Sequence, residues 1–379
     1  MARGARTNGV QVCTGLGAGN LGDELMAAAF WNHIAADVRL RVEAFEDYRN
    51  LGFTYPTRHD YQGASCEADL ARAGVPGYAV GSTPVTELWG LGWPLQAITR
   101  RLRGFQQRSL PYHMVGIGVD AIEGEEARAL FAEVLLDATS WTVRTESCRD
   151  ALLDLGVAGE RIQTGADWAW LYEPSHDHRD WAAAEWKSLG IDARRPLVVV
   201  NVVNEIWAHR DDVKRQIAGA LDHLAREGLQ VAFFCNEVRP GAYYDHAAAL
   251  ATQGFMAERS TIVAPGIHPL DRVLGLLSHA TVTLSQRYHF TVESVLAGTV
   301  PVSIARGDKL SGLLAELGLP AAGTMDEQDG ARLARQTLDT LDSRHATLAM
   351  LENRRAALRE RAHLNLAFVP ELRRAGSDR

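Results

Sequence analysis

Lysine is almost missing from this chain of 379 residues: of its 39 basic residues only Lys187, Lys214 and Lys309 are lysines. Wherever a plain surface cation suffices the sequence uses arginine, so a lysine at a particular loop points to the compact geometry of an ammonium. Cysteine is scarce as well. Cys13, Cys66, Cys148 and Cys235 stand apart, with no C-x-x-C pair and no short spacing, a pattern of reduced, structural thiols rather than of a disulfide framework or a zinc site. No apolar run approaches the roughly 20 residues that span a bilayer. The weakly basic start, MARGARTNG, runs straight into VQVC without the apolar core of a secretory signal. A cytoplasmic location is therefore expected, with at most peripheral membrane contact. Basic tracts are lacking too, and a formal net charge of −8 argues against general affinity for nucleic acid. A small anion would have to be caught by a local basic pocket.

What the sequence has in abundance is alternation. Short β-like runs such as VQVC, RLRVEAFE, GYAVG, YHMVGIGV, PLVVVNVV, ATVTLS and VPVSIA are separated by longer helical patterns, the sequence form of an α/β fold with parallel sheets and crossover helices. The length suits two domains. The segment LYEPSHDHRDWAAAEWKSLGIDARRP holds two prolines and no apolar strand, which puts the boundary near residue 180. Residues 1–180 then form one Rossmann-like domain and 181–340 another. Residues 341–379 read as helices of the kind that cross back to the first lobe.

Two constellations carry chemistry. The first is GLGAGNLGDELM, residues 15–26, in which Gly17, Gly19 and Gly22 satisfy the dinucleotide spacing G-x-G-x-x-G. A dinucleotide needs bare backbone and a helix N-terminus beside its pyrophosphate. Here Asp23 and Glu24 follow at once and place two carboxylates where that diphosphate would lie. Glu43 and Glu46 fit only loosely the acid about 20 residues on that grips a ribose. No nicotinamide or flavin cofactor is expected. The loop is either a ligand-free turn or a cleft lining whose Asn20, Asp23 and Glu24 accept hydrogen bonds from hydroxyls, as sugar sites require.

The second is TVTLSQRYHFTVESVLAGTVPVSIARGDKLSGLLAELGLP, residues 281–320. A strand ends at Ser285, a helix starts near Tyr288 or His289, Gly298 closes it, and Pro301 opens the next strand, with Lys309 just beyond. Arg287 and His289 thus stand at a strand C-terminus and a helix N-terminus, where open α/β sheets bind ligands. The neighbouring strand brings Lys309 to the same edge. Guanidinium, imidazole and ammonium together suit a ligand carrying phosphate and carboxylate. Singly, each has an ordinary alternative: local backbone for His289, an ion pair with Glu293 for Arg287, plain solvation for Lys309. His289 and Glu293 also have metal-ligand spacing, but without a third ligand no metal is expected.

On these residues the sequence resembles the polysaccharide pyruvyl transferases. TGLGAGNLGDE is similar to their opening motif, approximately G-x-x-G-x-G-N-x-G-D-E. SQRYHFTVESVLAGTVPVSIARGDK is similar to their S-x-R-x-H, G-x-P strand and downstream Lys. VRTESCRDALLDLGV and TGADWAWLY resemble the V-R-D-x-x-S and following Asp segments, so the resemblance runs over roughly residues 10 to 320. It departs at Thr145, where an acid is usual, and at AVGSTP, RGDK and DWAW. The resemblance implies two Rossmann-like domains facing across a cleft in a glycosyltransferase-B-like fold. It also implies transfer of pyruvate from phosphoenolpyruvate to two hydroxyls of a sugar, forming a cyclic ketal in exopolysaccharide biosynthesis. Phosphoenolpyruvate is then a co-substrate, no further cofactor is needed, and the partner is a sugar or glycan acceptor, free or lipid-linked. The roles implied are His289 as acid/base and Arg287, Lys309 and Arg144 as contacts to phosphoenolpyruvate. Asn20, Asp23 and Glu24 are implied to face the acceptor. Asp167, at a strand end, is either functional or a structural hydrogen-bond acceptor. A rival reading is a nucleotide-sugar glycosyltransferase, with Glu293 ahead of the G-x-P strand gripping a ribose. A third is a non-catalytic scaffold of the same fold.

Overall fold

The computed structural model describes residues 7–45, 56–63, 70–204, 210–239, 241, 244–263 and 269–373. Two sheets organise them. The first is built from β1 (Gly9–Val12), β2 (Leu40–Ala44), β3 (Asp60–Gly63), β4 (Gly77–Val80), β5 (Tyr112–Ile117), β6 (Ser140–Val143) and β7 (Ile162–Thr164). The second contains β8 (Leu197–Val200), β9 (Gln230–Phe233), β10 (Thr261–Ile262), β11 (Val282–Ser285), β12 (Val300–Ala305) and β13 (Ala321–Thr324). Their spatial orders are 3-2-1-4-5-6-7 and 10-9-8-11-12-13, and every strand pairs in parallel with its neighbours. In each sheet the winding reverses beside the first strand, between β1 and β4 and between β8 and β11. Ligands of such sheets bind beyond the strand C-termini at these reversals. The loops after β1, β4 and β11 are therefore the ones to watch.

Helices cover both sheets because their apolar residues recur at helical spacing. They are α1 (Leu21–His33), α2 (Ala97–Gln107), α3 (Glu125–Val134), α4 (Glu146–Asp154), α5 (Arg179–Ser188), α6 (Asp211–Arg226), α7 (Asp245–Phe255), α8 (Leu270–Ser278), α9 (Tyr288–Leu296), α10 (Asp308–Leu317), α11 (Gly330–Asp342) and α12 (Arg344–His363). Helix α6 shows the rule: Val213, Ile217, Ala220, Leu221 and Leu224 form one buried face, each large side chain contributing roughly 1.5–3 kcal/mol by leaving water. Caps fix several starts. Asn20 Oδ1 accepts from Gly22 N at 3.0 Å, Thr145 Oγ1 from Cys148 N at 3.2 Å, and Asp329 Oδ1 from Ala331 N at 2.9 Å.

One apolar cluster joins the two halves. Phe30 of α1, Trp168 after β7, Val292 of α9, Leu313 of α10 and Leu358 of α12 share it. Helix α12 packs there, and the chain beyond it returns to the first sheet: Asn365 Nδ2 donates to Ala166 O at 2.8 Å and Thr142 Oγ1 to Asn365 O at 3.2 Å. Among the described residues no helix is long and apolar enough to cross a membrane. Cys13, Cys148 and Cys235 are buried free thiols; Cys66 and Glu46 lie outside the described residues.

The structure adds elements that the apolar pattern did not announce: strands β3 and β13 and helices α2, α5 and α11. Both strands are edges with few apolar residues, DYQG and AAGT. In α2 the face that turns inward includes Arg101, which pairs with the buried Glu43 at 3.3 Å. That pairing also settles the use of Glu43: its carboxylate accepts from Cys13 N at 3.1 Å inside the lobe, not at the sheet edge where a ribose would lie.

Candidate active site

The glycine loop after β1 holds no free row of amides. Gly17 N donates to Glu24 Oε1 at 2.7 Å, Ala18 N to Gly15 O, Leu21 N to Asn236 O, Gly22 N to Asn20 Oδ1, and the amides of Asp23 and Glu24 to Asn20 O. A pyrophosphate would find these donors already engaged. Instead the loop joins the lobes, since Leu21 N bonds Asn236 O at 3.0 Å and Val238 N bonds Gly19 O at 2.9 Å. The expectation that Glu24 faces an acceptor is corrected here, whereas Asn20 is partly exposed. Asn20 caps α1 with its side-chain oxygen, and Glu24 is buried against Gly17 N. Asp23 is different: it is only partly buried, Ser82 hydrogen-bonds it, and His289 lies within electrostatic reach. Burial raises its carboxyl above the ordinary value, the charge of Glu237 adds to this, and His289 and Ser82 act the other way.

Gly22 is glycine for a reason in the opposite lobe. A Cβ there would stand 2.2 Å from His289 Nδ1, so the first turn of α1 lies directly on the imidazole delivered by α9. On its other side His289 Nε2 is 3.3 Å from Asp167 Oδ2. That is ion-pair distance without the alignment of a full hydrogen bond. The Tyr288 ring meets the imidazole edge-on, centroids 5.0 Å apart.

Asp167 is shared. Arg144, from the end of β6, donates Nη1 to Asp167 Oδ2 at 2.8 Å and Nη2 to Thr83 Oγ1 at 2.9 Å, and sits 5.2 Å from the Tyr288 ring centre. Gly118 leaves the guanidinium its room, since a Cβ there would be 1.9 Å from Nη2. Burial alone would push the Asp167 carboxyl up; the charge of His289, the charge and hydrogen bond of Arg144, and the Ala169 amide hold it well below the ordinary carboxylate range. Burial works against the Arg144 cation too, but Asp167 overrides it and raises the guanidinium's pKa. The Tyr288 phenol is pushed well up by burial and by Asp167, and stays neutral.

Lys309 completes the group from the other lobe. Its Nζ donates to Thr83 Oγ1 at 2.5 Å, so one hydroxyl oxygen receives bonds from two cations of different lobes. Although Lys309 as a residue is exposed, partial desolvation of its ammonium against the first lobe, and then the Arg144 charge, push it down to about 8. Thr83 was not foreseen. The signal available was its position: GSTP follows β4 at the sheet's winding reversal.

Arg287 does not join this cluster. Its Nε lies 2.9 and 3.0 Å from the two oxygens of Asp245, and its Nη2 lies 2.5 Å from Oδ1. The partner is thus Asp245 at the start of α7, not Glu293, and the fork expected for a ligand is closed on a carboxylate. Asp245 Oδ2 accepts as well from Asn201 Nδ2, Asn236 N and Glu237 N at 2.8, 2.9 and 3.0 Å. Glu293 is 1% exposed and faces inward, with the Asn236 side-chain amide nitrogen 3.2 Å from both its oxygens. Burial raises its carboxyl well above the usual value, with Arg287 partly offsetting this. Among the sequence-derived candidates, then, His289, Lys309, Arg144, Asp167 and Asp23 gather at the lobe junction. Arg287, Asn20 and Glu24 serve the scaffold around it.

Comparison with known proteins agrees with this architecture. The chain superimposes on S. aureus MnaA in complex with UDP (TM-score 0.62, 9% identity, 97% of this chain and 98% of the other). It also superimposes on Anabaena HepE in complex with UDP-glucose (0.61, 12%, 96% and 98%) and on the Neisseria meningitidis UDP-GlcNAc 2-epimerase bound to UDP-GlcNAc (0.60, 8%, 96% and 99%). At these identities the likeness is one of fold, and it gives the chain two Rossmann-like domains in a glycosyltransferase-B-like arrangement. No curated protein matches it by sequence. Residues 20–308, from the cap of α1 through β6, the Asp167 turn and α9 to the residue before Lys309, match the polysaccharide pyruvyl transferase family. With that match covering most of its length and both halves of the junction, the chain belongs to the polysaccharide pyruvyl transferase family.

Proposed function

We propose that this transferase moves the pyruvyl unit of phosphoenolpyruvate onto two hydroxyls of a sugar acceptor, closing a cyclic ketal and releasing phosphate. The observation that carries the reading is the double donation to Thr83 Oγ1 by Arg144 and Lys309. Two cations converging on one neutral oxygen, beside an imidazole, form a place where an anionic oxygen binds better than a hydroxyl does.

The chemistry follows from that arrangement. His289, protonated and backed by Asp167, gives its proton to the methylene carbon of phosphoenolpyruvate, and positive charge grows on the central carbon. A sugar hydroxyl attacks that carbon, the C–O bond to phosphate breaks, and the second hydroxyl takes the vacated position to close the ring. Two hydroxyl protons are released in all: one replaces the proton that became part of the new methyl group, the other leaves with phosphate. Arg144 and Lys309 hold the phosphate and carboxylate while this happens. Asp23, with its raised carboxyl beside His289, receives a hydroxyl proton on the acceptor side. Asp167 orients the imidazole and keeps Arg144 in place, the part an orienting carboxylate plays in other acid/base pairs.

The test is phosphate release from phosphoenolpyruvate across a panel of sugar acceptors, with mass spectrometry locating the added pyruvate. Stabilisation by nucleotide sugars alone, with no phosphate released from phosphoenolpyruvate, would move the chain to the nucleotide-sugar reading. The burial of Glu293 weighs against that outcome, because a ribose-gripping carboxylate has to reach the cleft.

A further inference from the structure

The loop that begins at Thr83 carries Leu88, Trp89 and Trp93, which are 66%, 42% and 38% exposed. They are three of the six large apolar side chains exposed among the described residues, and such clustering marks a recognition surface. Trp93 does not hang free. Its ring meets that of Phe45, centroids 5.6 Å apart and planes at 61°. Phe45 follows β2 and is fastened to the glycine loop, its amide donating to Leu16 O at 3.0 Å. Gly17, at φ +76°, brings its backbone so close that a Cβ would lie 2.8 Å from Phe45 O. The aromatic pair is thus seated on the loop that holds Asp23, along the same edge of the first sheet as Thr83.

The charges around it are acidic. Glu87 accepts from the amides of Glu123 and Gly124 at 2.9 and 3.3 Å. Exposed Glu125 and Glu126 open α3, which packs against the turn Gly92–Gln96. Carboxylates repel an anionic bilayer. Beside a flat indole, however, they suit a pyranose, whose C–H face lies on the ring while its hydroxyls donate outward.

We propose that the Phe45–Trp93 shelf, with Trp89 on the same loop, is an acceptor subsite that stacks the sugar ring adjoining the one that receives the pyruvyl unit. The acceptor is then the end of an oligosaccharide and not a free monosaccharide. This rests on the acceptor being a sugar, as proposed above, and is independent of the donor.

The full chain is titrated calorimetrically, without phosphoenolpyruvate, with glucose-, galactose-, mannose- and N-acetylglucosamine-based saccharides of increasing length. The expected result is one series whose affinity rises about tenfold from one ring to two or more, with Trp93→Ala abolishing the gain and Trp93→Phe keeping most of it. No length dependence in any series, or a Trp93→Ala protein that binds like the wild type, overturns the proposal. So does a Trp89→Ala/Trp93→Ala protein that loses a dimer, or loses sedimentation with mixed phosphatidylcholine and phosphatidylglycerol vesicles, while glycan affinity is unchanged. Because no donor is present, failure of phosphate release from phosphoenolpyruvate would leave this result standing and is told apart from it.

Discussion

Replacing Gly22 with alanine tests the junction at its tightest point. Gly22 lies in ordinary right-handed helix, outside the left-handed region, so the backbone accepts alanine and gains roughly 0.5–1 kcal/mol of helix preference. The added methyl, however, would stand 2.2 Å from His289 Nδ1. His289, whose own Cβ would be 2.5 Å away, has to retreat by roughly 1.2–1.8 Å to restore ordinary contact, and overpacking of this kind costs about 1–3 kcal/mol. The net cost is then about 0–2.5 kcal/mol, so Tm should fall by no more than roughly 5–10 °C. The reaction has no such compensation: a misplacement of about 1 Å at the acid/base lowers kcat about a hundredfold. Gly219→Ala is the control, because in α6 its Cβ would meet nothing within 4 Å. It should raise stability by about 0.5–1 kcal/mol and leave turnover alone. Thermal melts with steady-state phosphate release decide the matter. A Gly22→Ala protein with near-native kcat would refute the placement of His289 against α1, and with it the role given to that residue.

Three further outcomes follow from the same geometry. The Lys309 ammonium is pushed down to about 8, so kcat/KM for phosphoenolpyruvate should fall as pH rises through about 8. In Lys309→Arg, whose cation persists above pH 12, the fall should vanish; its persistence assigns it to another group. Asp167→Asn should lower kcat by about 10² to 10⁴ and remove part of the acid sensitivity of folding. The Asp167 carboxyl is depressed in the folded chain, so its stabilisation is complete above its unfolded value of about 4 and drains away as pH falls below that. Urea midpoints at pH 7 and pH 3 measure the difference between the two proteins. Arg287→Gln leaves buried Asp245 without its cation and should cost about 3–5 kcal/mol of stability; unchanged stability with a tenfold rise in KM for phosphoenolpyruvate would instead make Arg287 a donor contact.

Much of the junction was legible before any coordinates, because strand ends and helix starts can be read from apolar runs and their punctuation. His289 and Lys309 were placed at one sheet edge by that means, and both reach it. Arg287 occupied the same edge in the reading, yet its partner, Asp245, lies 42 positions away on another helix, and nothing local announces a pairing at that distance. Glu24 and Asn20 were assigned to hydroxyls because acids beside glycines suit sugars; the loop uses both on its own backbone, which local sequence cannot distinguish. Thr83 escaped notice because a hydroxyl in Gly-Ser-Thr-Pro reads as turn chemistry. Helix α2 was obscured by Arg101, whose inward face is tolerable only because Glu43 awaits it on β2. The DYQG and AAGT strands lie at sheet edges, where a strand can form on backbone pairing with little apolar signal.

The seam between Gly19–Leu21 and Asn236–Val238 is made by main-chain atoms, which every residue type except proline supplies in full. Side chains on either side can drift without loosening it, whereas inserting or deleting one residue in either loop would throw the opposing amides and carbonyls out of register. What a working relative has to keep at this seam is loop length, and an engineered tag or sensor belongs anywhere but there.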